Sequence, residues 1–93
     1  MAKTVIIITS KWDYLKDQLD TLCAQLLKAG INCEIRNYDE PEAMRLIIRH
    51  GINNGIVRIP QIYIIDNERV RQVKYRVTND LRLVIDELNN PNQ

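Results

Sequence analysis

The chain has 93 residues, 45% of them hydrophobic and 27% charged, with a formal net charge of +1. That length allows one domain with a single core, and the composition is that of an ordinary globular protein rather than a disordered or fibrous one. The charge provides no global field for nucleic acid or an anionic membrane, and the longest apolar run, Val5-Ile6-Ile7-Ile8, is too short to span a bilayer and lacks a signal-peptide pattern. A cytoplasmic protein with no membrane partner is expected.

Thr4 to Thr9 is continuously β-branched without alternation, which is how a strand covered on both faces reads. From Leu15 the period changes: Leu15, Leu19, Leu22, Cys23, Leu26 and Leu27 share one face of a helix. Its start is expected at Ser10 or Asp13, both N-cap residues, and its end at Gly30. Ile31, Cys33 and Ile35 then alternate with polar residues as a strand, completing a βαβ unit. Glu40-Pro41-Glu42 opens a second helix with stripe Ala43, Met44, Ile47 and Ile48, closed by His50-Gly51. After a loop at Asn53-Asn54-Gly55, Ile59 to Ile65 reads as a strand, Asp66-Asn67 as a turn and Arg69 to Tyr75 as a returning strand. A last helix is expected from Thr78 or Asn79, burying Leu81, Val84, Ile85 and Leu88, with a frayed polar tail at 89–93. The predicted order is βαβαββα in a single α/β domain, 1–93.

This order, together with Arg58-Ile59-Pro60-Gln61-Ile62-Tyr63-Ile64, resembles the glutaredoxins, whose matching stretch reads Thr-Val-Pro-Gln-Ile-Phe-Ile. Tyr38-Asp39-Glu40-Pro41-Glu42 and Asp66-Asn67-Glu68 are similar to that family's approach to the second helix and its hairpin turn. The resemblance implies a thioredoxin-like, glutaredoxin-type fold: a central mixed four-stranded sheet flanked by helices, with a cis Ile59-Pro60 bond beside which an extended peptide or glutathione is held. The family's Cys-x-x-Cys is missing, because the start of the first helix reads Thr9-Ser10-Lys11-Trp12-Asp13-Tyr14. Without a thiol at the helix N-terminus there is no thiolate to attack a disulfide, and Ser10 does not replace it. The family's glutathione-holding Gly-Gly-Tyr-Asp-Asp stretch is also replaced, by Arg71 to Arg76, so no cofactor is expected.

Cys23 and Cys33 lack Cys-x-x-Cys or His-rich company and read as buried small hydrophobes, the alternative being a displaced redox pair. Trp12 reads either as a partner anchor or as a lid on the core, and Asp13 as a helix cap. His50, the single histidine, suits a helix C-terminus, and no metal site is expected. The leading expectation is a redox-inactive binding module that holds a protein or extended peptide with Lys11, Trp12, Tyr14, Ile59, Pro60 and Gln61. Two alternatives follow from other residues: a thiol–disulfide oxidoreductase using a non-standard cysteine, and nucleic-acid binding through a basic hairpin of Arg69, Arg71, Lys74 and Arg76 with Arg58. The same cations also serve a solvated edge strand that resists sheet-to-sheet pairing.

Overall fold

The structure, a computed structural model, describes residues 3–85. Its centre is a mixed four-stranded sheet in which β1 (Lys3–Thr9) lies between β2 (Asn32–Asn37), parallel to it, and β5 (Gln61–Asp66), antiparallel to it. The outer strand β6 (Arg69–Val73) returns antiparallel along β5. The lack of alternation in β1 has its cause here: Val5 and Ile7 join a cluster on one face while Ile8 joins a second cluster with Tyr63. Helix α1 (Lys16–Lys28) covers the first face with Leu19, Cys23 and Leu26. Helix α2 (Pro41–Leu46) and the π-turn that continues it, Ile47–Gly51, bring Ala43 and Ile47 against the other. Each such Leu or Ile removed from water contributes about 1.5–3 kcal/mol, so the two clusters dominate the stability of the sheet.

The ends of these elements follow from local chemistry. Helix α1 stops at a Schellman motif in which Gly30 takes φ +83, its N–H donates to the Leu27 carbonyl and the Ile31 N–H to that of Leu26. It starts later than either expected cap. Residues 11–15 form turns, and Asp13 caps inside them, its Oδ1 accepting from the Leu15 N–H at 2.9 Å and its Oδ2 from the Thr9 hydroxyl at 2.7 Å. Gly51 ends the second helical segment without a left-handed φ, so it is not the C-cap glycine the sequence suggests. A Cβ there would collide with the side chains of Gln61 and Tyr63.

Three further expectations are corrected. The loop at 53–55 is a hairpin, β3 (Ile52–Asn53) and β4 (Ile56–Val57), turned by Asn54 and Gly55 at φ +54 and +76, the pair of positive φ values of a type I′ turn. The last helix does not form within 78–85. There β7 (Arg76–Val77) pairs with β8 (Leu83–Val84), Leu81 is exposed at φ +61, and Ile85 alone reaches the first cluster as a fully buried residue. Leu88 and the tail at 89–93 lie outside the described residues. Finally, Cys23 and Cys33 are buried as expected but bonded: a disulfide with a Cα–Cα distance of 5.5 Å joins α1 to β2. No helix among the described residues is long and apolar enough to cross a membrane.

Candidate functional site

The antiparallel register of β1 and β5 places Ile8 opposite Gln61, so the turn that follows β1 and the Ile59-Pro60 bond that precedes β5 share one end of the sheet. That bond is cis. The Tyr38 N–H donates to the Thr9 carbonyl and brings a third segment to the same end, where the rings of Trp12 and Tyr38 stand 6.3 Å apart. Tyr75 closes the group from the far side, donating its hydroxyl to the Pro60 carbonyl at 2.6 Å. Burial pushes the Tyr75 pKa up, and the neighbouring Asp13 and Tyr14 push the same way against Arg58. Asp13, Tyr14, Arg58, Pro60 and Tyr75 are therefore one electrostatic neighbourhood.

Within it the surface is aromatic. Trp12 is 74% exposed and Tyr14 68%, which decides against Trp12 as a lid on the core. Lys11 is exposed beside them, and Ile59 is half-buried. Beneath the turn, Ser10 is 1% exposed and its hydroxyl meets no hydrogen-bond partner among the described residues.

Gln61 does not belong to this surface. It is 2% exposed, its amide donates to the Gly51 carbonyl at 2.9 Å, and its Oε1 accepts the Tyr63 hydroxyl. Pro60 is buried too, so of the expected residues Lys11, Trp12, Tyr14 and Ile59 remain to meet a partner. Tyr38 and Tyr75 are members that sequence reading missed. Each is an aromatic residue just past the end of a strand, and that was the available signal.

The expected basic patch is spread out. Arg69 and Arg71 lie on the edge strand β6, Arg76 on β7, Lys74 in the connection between them, and Arg58 beside the cis bond. No protein family, curated protein or solved structure matches the chain. Among the described residues no group of three or more His, Cys, Asp or Glu side chains is placed to hold a metal ion.

Chemically, the site presents rings, a lone ammonium and backbone at a sheet end. Among the described residues it sets the buried Thr9 hydroxyl on the Asp13 carboxylate at 2.7 Å. The two sulfurs are bonded to each other under α1, with both cysteines buried, and neither belongs to this neighbourhood.

Proposed function

We propose that the chain is a glutaredoxin-like domain of thioredoxin fold that binds a protein segment, an extended peptide, at the end of its sheet and performs no thiol exchange there. The observation that carries this reading is the exposure of Trp12 and Tyr14 on a turn bordered by the cis Ile59-Pro60 bond. Exposed aromatic pairs are the side chains that supply binding energy at interfaces, where Trp and Tyr are enriched. The mixed sheet and the βαβ opening agree with the fold; Ser10 standing where the family has its thiol agrees with the loss of chemistry.

A second reading, a thiol–disulfide oxidoreductase, is favoured by the Cys23–Cys33 bond itself. Against it stand the burial of both residues and their distance in sequence from any helix N-terminus, where a thiolate would be stabilised. A disulfide is also rare in the cytoplasm that the sequence suggests, so the oxidised pair suits a structural clamp in an oxidising compartment or a transient state of a cytoplasmic chain.

One pair of measurements separates the readings. A peptide library displayed on phage is selected on the folded protein, and each binder is re-measured on Trp12→Ala and Tyr14→Ala. The expected result is binders weakened about 10-fold or more by Trp12→Ala, as for a hot-spot aromatic. Turnover of a glutathione mixed disulfide that disappears in Cys23→Ser would establish the enzyme and sink the binding module.

A further inference from the structure

A second surface, separate from the aromatic one, combines exposed aliphatic side chains with exposed arginines. Along α2 and the π-turn, Ala43 and Ile47 face the sheet, while Met44 and Ile48, one turn apart, point outward, with Ile48 63% exposed. Ile52 follows them onto the β3–β4 hairpin, where it lies directly opposite Val57. Ile56 pairs with Asn53 on the hairpin's other face and is 55% exposed. The hairpin thus carries an exposed aliphatic residue on both of its faces and pairs with no other strand among the described residues.

Past Glu42 in the first turn of α2, the charge along this segment has one sign. From Ala43 to Ile65 the chain contains Arg45, Arg49, His50 and Arg58 and no aspartate or glutamate. Arg45 and Arg49 are exposed and make no ion pair among the described residues. A second copy of this chain docked face to face would set these arginines against themselves, so self-association is disfavoured. A folded protein partner would offer a flat or concave counterpart to one face of a hairpin. Aliphatic side chains on both faces of a hairpin that turns at Asn54-Gly55, reached from a helical segment bearing exposed Arg45 and Arg49, fit an interface that surrounds them.

We propose that the Met44–Val57 region docks on an anionic lipid surface, with Ile48, Ile52 and Ile56 entering the headgroup–acyl boundary and Arg45 and Arg49 meeting the lipid phosphates and carboxylates. This is attachment to the surface, not a span. Apolar burial and attraction to anionic lipid act together in such binding, and neither alone suffices.

The test is sedimentation of the intact protein with phosphatidylcholine vesicles containing phosphatidylserine, against vesicles of phosphatidylcholine alone. Binding is expected only with phosphatidylserine and is expected to fall as salt is raised. The double variant Arg45→Gln with Arg49→Gln should bind about 30-fold more weakly, from about 1 kcal/mol per cation at the surface. Ile52→Ser with Ile56→Ser should bind about 10-fold more weakly while leaving the charge intact, through the apolar area lost. All four positions are exposed, and circular dichroism of each variant checks the fold. Absence of phosphatidylserine-dependent binding at low salt overturns the proposal. So does binding unchanged in Ile52→Ser with Ile56→Ser, or preferential binding of duplex DNA that ignores those two substitutions, which would make this a nucleic-acid face. A dimer dispersed by the same substitutions, without vesicle binding, would make it a self-association face instead.

Discussion

Gly51, Gln61 and Tyr63 form a polar knot inside the second hydrophobic cluster, and each is there for a different physical reason. The glycine gives room, the amide satisfies its carbonyl, and the phenol fills the space beside Ile8, Ala43 and Ile47 while donating to Gln61. Gly51→Ala has no backbone penalty, since φ is not left-handed, so any loss it causes is steric. We expect a loss of about 1–3 kcal/mol, the usual cost of forcing extra volume into a filled core, read as a fall in the midpoint of calorimetric unfolding. Tyr63 has a second consequence. Burial pushes its pKa up to about 12 from 10.0, so the folded chain holds this proton after the unfolded chain has released it. Stability is therefore fully present below about pH 10 and declines as pH rises toward about 12, because the unfolded state binds fewer protons there. Urea titrations through this range should show the decline, and tyrosinate absorbance should show late-titrating residues. None of this was legible beforehand. Gly51 carries the sequence signature of a C-cap, and what requires it are side chains ten and twelve positions later that only tertiary packing brings near.

Elements with one dominant pattern were legible, and those with two competing patterns were not. In α1 the period of Leu19, Cys23 and Leu26 has no rival, and Gly30 stops it where a glycine is needed. At 78–85 the signals conflict. Leu81, Val84 and Ile85 suit a helix, but Leu83-Val84-Ile85 suits a strand equally well, and Thr78, expected as a helix cap, accepts the Arg82 N–H across a tight turn. The tight turn prevails because it lets β8 pair with β7 and still deliver Ile85 to the core. The disulfide between α1 and β2 was illegible for another reason: sequence places both cysteines on buried faces, but not which residues of those faces meet. It closes a sequence separation of 10 residues, which in the chain-entropy account constrains the unfolded state by about 2.5–3 kcal/mol. Urea unfolding with and without reductant should differ by that amount. Reduction of the folded protein should be slow, since both residues are buried.

Across the whole molecule, a net charge of +1 conceals a division. Glu34, Glu40 and Glu42 gather around Arg36 at one sheet edge and hold its pKa up, chiefly through the Glu34 hydrogen bond, whereas 43–65 has cations alone. Averages over the chain therefore hid the carboxylate-free region, whereas Trp12 and Tyr14 stood out once the start of the first helix was read residue by residue; the cis Ile59-Pro60 bond was expected from a resemblance, and of the residues grouped with it Pro60 and Gln61 are buried. The two surfaces are also peripheral to the cores. Trp12→Ala is expected to leave unfolding free energy within about 0.5 kcal/mol of wild type, as for other exposed substitutions, so that any lost binding is attributable to the missing ring. The bond from Gln61 to the Gly51 carbonyl has a consequence of its own. It staples the two ends of the excursion 52–60, so the scaffold and not the hairpin holds the gap closed. Lengthening a closed loop adds only about 0.6 kcal/mol per doubling. The hairpin is thus a cassette: another turn could be grafted between Gly51 and Ile59, and the surface it presents changed, without redesigning the sheet beneath.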